Sequence, residues 1–373
     1  LVTGFRRVLF RSSANGSFTL PGVQPGTYWL IVQKAQFRIE TQVTVVDGNQ
    51  VADQGVTTLP SIHDPAVGLW MPKIAVATGG YDPLEGILGK MGLGTVDGSG
   101  TYMSTGGEID LYSNGGALPD TAAGTLTELV NNPAALARYH VVLIPCSSDG
   151  NVAALQSQNA LRNLRDYVKA GGKLFVTDWS GEWMDNVFPA QIELGGSGFG
   201  IPLGDGIDTP ASAYDRANDS WDTGEFGNAD GDAYDSDGAT AVDPNLASWL
   251  TGQAGPFPDG GAGPIDPTDF DVVDNWNWIK SLNTVEKGLD DQGNVVMDQP
   301  KAWVAGPRGG LIGGDSTPRP LTVTFEPAGC GRVLFSTYHT TPGAHVGLYP
   351  QERILLYLML EIGTCLDGPI VID

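Results

Sequence analysis

The chain is short of cations. Twenty Lys and Arg stand against 43 Asp and Glu, a formal net charge of −23. A surface of that sign repels phosphate backbones and anionic headgroups, which argues against nucleic acid and membrane surfaces as partners. Cysteine is scarce as well: three residues leave room for one disulfide at most. No apolar run approaches the ~20 residues that cross a bilayer; the densest, Ile354 to Leu360, stops at Glu361. Walker loops, dinucleotide fingerprints and HExxH helices are absent, so no motif of that kind names a reaction. What is present is a loop-rich but foldable composition, with 52 Gly and 25 Pro beside 41% hydrophobic residues and 9 Trp in 373 positions. That length suits two domains, or one with a large insertion.

Residues 1–12, LVTGFRRVLFRS, resemble a translated sequencing-library adapter and are set aside from fold reasoning, as a processing or cloning scar is. On that reading the true start of the protein, with any export signal, lies upstream. From 13 to 60 short alternating segments, among them Tyr28-Trp29-Leu30-Ile31-Val32 and Thr41 to Val46, carry the period-2 mark of half-buried strands between Pro-Gly and Asp-Gly turns. The run GSFTLPGVQPGTYWLIVQKAQF resembles carboxypeptidase regulatory-like modules, whose prealbumin-like β-sandwich is also grouped with carbohydrate-binding folds. The resemblance implies a β-sandwich truncated at its front, of a kind used as spacers in exported proteins. Residues 61–72 read as a Pro-punctuated linker.

After residue 73 the pattern changes to alternating strands and helices. Lys73 to Thr78 is an apolar strand, followed by a helix that opens with Asp82 as cap and Pro83 behind it. Val141 to Ile144, a helix over 152–170 and Lys173 to Thr177 form a strand–helix–strand unit whose near-continuous hydrophobic strands indicate a parallel sheet. Residues 186–300 hold 21 of the acids with only Arg216, Lys280 and Lys287 as cations. They read as a long acidic insertion, after which strands resume at Leu321 and Arg332, a last helix spans 350–362 and 366–373 form a tail. The fold expected is α/β, a flavodoxin-like three-layer parallel sheet over 73–365.

The stretches YHVVLIPCSSDG, LRDYVKAGGKLFVTDWSGEW and GCGRVLFSTYHTTP resemble the class I glutamine amidotransferase-like superfamily, closest to its non-glutaminase, trehalose-utilisation-type branch. In active members a cysteine sits on a sharp strand-to-helix elbow. The equivalent segment is Thr177-Asp178-Trp179-Ser180-Gly181, and alignment of its closing glycine puts Trp179 at the nucleophile position. His339 occupies the place of the family's histidine, and Thr341 stands where its acid belongs. The resemblance therefore implies a scaffold without glutaminase activity.

Ligands on such sheets meet the carboxyl ends of the strands, which nominates Gly79, Gly80, Ser147, Ser148 and Trp179 as binding residues. Ser180, activated by His339 with Asp178 orienting the ring, is the alternative: a hydrolase site. The same Ser180 also suits a helix cap. Cys146 reads as a small buried hydrophobe, and Cys330 with Cys365 as a disulfide pair. Asn228, Asp230, Asp232, Asp235 and Asp237 space hard oxygens as a calcium loop does, without completing an EF-hand. His339, His345 and Asp178 form a weaker metal candidate, and the aromatic-polar run Asp274 to Trp278 is placed to reach the same edge. The function expected is an exported binding or surface-assembly protein, extracellular, periplasmic or on the cell surface, with carbohydrate or another surface protein as partner and calcium as stabiliser.

Overall fold

In the computed structural model the described residues are 18–103, 109–114, 122–147, 157–194, 234–258, 260–290, 292–309, 315–327, 329, 331–340 and 344–361. Residues 1–12, Ser148, Thr341, Asn228, Asp230, Asp232, Cys330 and Cys365 lie outside that set, so the adapter reading, the disulfide and most of the calcium loop rest on sequence alone.

Ten strands form one mixed sheet. In chain order they are β1 (Ile74–Thr78), β2 (Ile109–Ser113), β3 (Gly124–Thr125), β4 (Val141–Ile144), β5 (Lys173–Thr177), β6 (Tyr234–Ala241), β7 (Phe270–Asn275), β8 (Lys301–Arg308), β9 (Asp315–Phe325) and β10 (Arg332–Ser336). Their order across the sheet is β7-β6-β8-β9-β10-β5-β4-β1-β2-β3. From β10 to β3 every pairing is parallel, whereas β9, β8, β6 and β7 add on antiparallel. Smaller antiparallel pairs accompany it, Ile192–Leu194 with Ile279–Leu282 among them. The class is mixed α/β.

The central strands are buried along their whole length, as β1 (IAVAT) and β4 (VVLI) illustrate. Alternation sends their side chains into two separate apolar clusters, because successive residues of a strand point to opposite faces. Ala75, Ala77, Val142, Ile144 and Val176 pack with Leu161, Leu164 and Val168 of the helix Gln158–Lys169. Ile74, Val76, Leu143 and Phe175 pack with Leu84 and Ile87 of the helix Leu84–Lys90 and with Ile354 and Leu358 of the helix Pro350–Glu361. Each Val, Leu, Ile or Phe among them contributes on the order of 1.5–3 kcal/mol by leaving water. The helix Gln158–Lys169 starts where the Ser157 hydroxyl accepts from the Ala160 N–H at 3.3 Å, and the chain leaves it through Gly171 at φ 106°.

Two boundaries differ from the sequence reading. The stretch taken as a linker carries a strand: Leu69–Trp70 pairs with Arg38–Ile39 on the edge of the hairpin Gly26–Lys34/Phe37–Val45. A two-residue strand is too short for side-chain alternation to announce it, and it pairs through main-chain groups. The N-terminal unit is one three-stranded antiparallel sheet among the described residues. The acidic segment, read as an insertion outside the sheet, supplies β6 and β7 and lays Ile279–Leu282 beside Ile192–Leu194. Charge on solvent-facing positions such as Asp235, Asp237 and Asp271 masks strands whose other face is apolar.

Candidate functional site

Four parallel strands deliver side chains to one point on the carboxyl edge of the sheet. The chain passes from β1 outward to β2 and then crosses back to β4 on the other side of β1. Such a reversal leaves a crevice beyond the strand ends. There β1 is followed by Gly79 to Asp82, β4 by Cys146 and Ser147, β5 by Asp178 and β10 by His339.

Asp178 forms the turn. It has φ 48°, the left-handed region that a short polar side chain tolerates best among non-glycine residues, and it opens a single 3-10 turn, Asp178–Gly181. The left-handed residue after β5 is thus Asp178, one position before Trp179. Trp179 lies on the rim instead. The Asp178 side chain is fully buried. Its Oδ2 lies 2.7 Å from His339 Nε2, its Oδ1 accepts the Trp276 backbone N–H at 2.8 Å, and its carbonyl accepts from Asn277 Nδ2 at 2.5 Å. Oδ2 and Nε2 face each other without in-line hydrogen-bond geometry, and neither has another partner. Burial pushes the Asp178 carboxyl up to about 7, with the His339 contact pulling back only part of the way. For His339, burial opposes protonation, but Asp178, Asp82 and Asp274 outweigh it and the net displacement is upward.

Asp82 does not cap the helix Leu84–Lys90. Its Oδ2 is held by Thr177 Oγ1 at 2.8 Å, the Thr340 N–H at 3.1 Å and Thr340 Oγ1 at 3.0 Å, while its buried Oδ1 has no partner. Burial raises its pKa. The same Thr177 hydroxyl accepts the Cys146 N–H at 3.0 Å, so one side chain ties the ends of β4, β5 and the loop after β1 together. Cys146 is buried as expected, but not in purely apolar company. Ligand-type atoms of Cys146, Asp178 and His339 all lie within 4.8 Å of one another.

The nominated residues therefore divide. Gly79 is at the site because a Cβ there would stand 2.1 Å from the Cys146 carbonyl oxygen; its role is close packing. Gly80 is exposed beside it. The Ser147 hydroxyl donates to the Asn114 carbonyl at 2.5 Å. Ser180 neither caps a helix nor meets His339: its buried hydroxyl donates to the Pro145 carbonyl at 2.8 Å. In this 3-10 turn the third residue faces the end of the neighbouring strand β4, which the sequence does not reveal. His345 lies apart, 2.9 Å from Lys90 Nζ and 2.9 Å from Glu352 Oε2, so it does not join His339. Asp235 and Asp237 sit on the exposed face of β6 rather than in a loop, and Asp235 Oδ1 accepts the Asp274 N–H at 3.0 Å.

Aromatic rings rim this point. Trp179 and Trp276, both half-buried, lie parallel at 5.9 Å, and Tyr81, 49% exposed, lies parallel to the His339 ring at 6.4 Å. Asp82, Thr177, Trp276 and Asn277 were not nominated as site residues. Only the polar-aromatic run ending in Trp278 hinted at the last two.

Comparison with family models finds no match, and neither does comparison with curated proteins. Among solved structures, the chain is similar to the cytoplasmic protein STM3548 from Salmonella typhimurium, with a TM-score of 0.36 and 12% identity over 92% of this chain and 97% of that one. It is also similar to Gan42B, a GH42 beta-galactosidase from G., with a TM-score of 0.30 and 12% identity over 80% of this chain and 31% of that one. At such scores neither likeness bears on fold or function. No helix among the described residues is long and apolar enough to cross a membrane.

Proposed function

We propose that this chain is an exported, non-catalytic binding protein that holds a neutral carbohydrate at the carboxyl edge of a flavodoxin-like, three-layer domain. The scaffold is of the class I amidotransferase kind without its thiol nucleophile. Counted in chain order, the five longer parallel strands β2-β1-β4-β5-β10 lie in the order 2-1-3-4-5, which supports the flavodoxin-like reading, as do apolar clusters on both faces of the strands.

The observation that carries the binding reading is the cluster of partly exposed aromatic side chains at the strand ends. Trp179, Trp276 and Tyr81 keep partly exposed rings around the strand ends, and such surfaces stack on sugar rings. The elbow hydroxyl, Ser180, is spent on Pro145. The net charge of −23 disfavours anionic glycans, so the ligand is an uncharged one.

A glycan array followed by titration of the strongest neutral oligosaccharide, read by tryptophan fluorescence, tests this. Trp179→Ala or Trp276→Ala should weaken binding tenfold or more, about 1.4 kcal/mol, with the circular dichroism spectrum unchanged. Retention of full affinity in both variants overturns the reading. So does ester or amide hydrolysis by the wild-type protein that Ser180→Ala abolishes, which would establish the hydrolase instead.

A further inference from the structure

We infer that Cys146, Asp178 and His339 form a zinc site beneath the aromatic rim. Three different donor types, a thiol, a carboxylate and an imidazole, come from the ends of three adjacent parallel strands, and their ligand atoms lie within 4.8 Å of one another. All three residues are buried, at 1%, 0% and 8% exposure. Convergence from separate strands is a property of the sheet edge and not of any local sequence motif, which is why no spacing rule finds it.

The second observation is that this buried place is polar and incompletely satisfied. Asp178 Oδ2 and His339 Nε2 have only each other, off line, and Asp82 Oδ1 behind them has no partner. Buried polar atoms without partners are rare in folded proteins and call for an explanation such as a bound ion. Charge points the same way. Asp82 acts electrostatically on both Asp178 and His339, so two carboxyls share a single imidazole in a dry environment. A divalent cation placed among these groups offsets that negative charge.

The donor set selects the metal. Calcium and magnesium take six or more oxygens, whereas sulfur with nitrogen and one carboxylate suits Zn²⁺, whose catalytic or open sites use three protein ligands and a fourth position for water. Two ligands of a tetrahedral zinc ion stand about 3.3 Å apart, given bond lengths of about 2.0–2.1 Å. The Asp178–His339 separation of 2.7 Å therefore opens by about half an ångström on loading. Thr177 supplies the outer support, fixing the Cys146 main chain and Asp82 at once. The inference stands apart from the carbohydrate reading, since the rim can bind sugar with or without the ion.

The test uses the full chain, stripped of metal and kept in excess Ca²⁺ so that the acidic stretch does not compete. Zn²⁺ is titrated against a fluorescent chelator, and Co²⁺ is bound in parallel. We expect one Zn²⁺ per chain and a sulfur-to-cobalt charge-transfer band in the near ultraviolet. Cys146→Ser should remove that band, and Cys146→Ser and His339→Gln should each weaken Zn²⁺ by more than the roughly 10–100-fold typical of losing an outer-shell partner. Absence of the cobalt–sulfur band in the wild-type chain overturns the inference, whether or not the variants fold. Unchanged zinc affinity in both variants overturns it equally.

Discussion

The backbone N–H of Trp276 meets the carboxylate of Asp178 at 2.8 Å across 98 residues of chain. This contact joins the acidic segment to the elbow of the parallel sheet and holds Asp178 at the angle that faces His339. Asn277 secures the same residue through its carbonyl, and His339 donates its own N–H to the Asp274 carbonyl at 3.0 Å, so the two halves of the site are latched from one strand end.

Replacing Asp178 by Ala removes that acceptor and the partner of a buried imidazole, and it leaves a Cβ residue at φ 48°. The expected cost in metal-free protein is about 3–5 kcal/mol, the range for breaking one side of a buried ion pair. Asp178→Asn keeps an oxygen for the Trp276 N–H and tolerates the left-handed backbone, and should lose clearly less. Urea unfolding of the two variants decides it: equal losses would mean that the carboxamide cannot replace the carboxylate as acceptor.

Glu85 offers a pH test away from the three donor residues. Burial raises its pKa from 4.5 to about 7, and its Oε2 has no partner. Between those values the folded chain keeps a proton that the unfolded chain has lost. Stability from this group is therefore complete below about 4.5 and falls as pH rises through about 7, by at most about 1.4 kcal/mol per pH unit. Glu85→Gln should flatten the stability profile across that window and make the variant the more stable protein at pH 8. A variant whose stability follows pH in parallel with the wild type contradicts this.

Gly79 should resist even the smallest side chain. A Cβ would lie 2.1 Å from the Cys146 carbonyl oxygen, a main-chain atom that cannot swing away, so the loops after β1 and β4 must separate. Gly79→Ala is expected to cost about 1–3 kcal/mol and to lower Tm accordingly. Gly98→Ala, with nothing within 4 Å of the added carbon, serves as the control and should stay within about 0.5 kcal/mol. A Gly79→Ala melting curve indistinguishable from that of the control would show that the two loops part freely.

The local pattern determined a good deal. Apolar runs such as KIAVAT and VVLIP, bounded by glycine and proline, announce buried parallel strands, because a strand covered on both faces has no polar position to spare. The helix Gln158–Lys169 lies within the span that its own periodicity marks, whereas the turn after β5 and the place of His339 were suggested only by the family resemblance. The tertiary structure alone showed that Asp178 takes the left-handed turn after β5, where Trp276 and Asn277, about a hundred residues away, bond to it. It decided that Asp82 is a buried acceptor for Thr177 and Thr340 instead of a helix cap, and that Ser180 faces Pro145 instead of His339. It also wove the acidic segment into the sheet. Periodicity reports how a residue faces its own element; the meeting of Cys146, Asp178 and His339 depends on how separate strands are ordered in space, and that order is set by packing between segments remote in the chain.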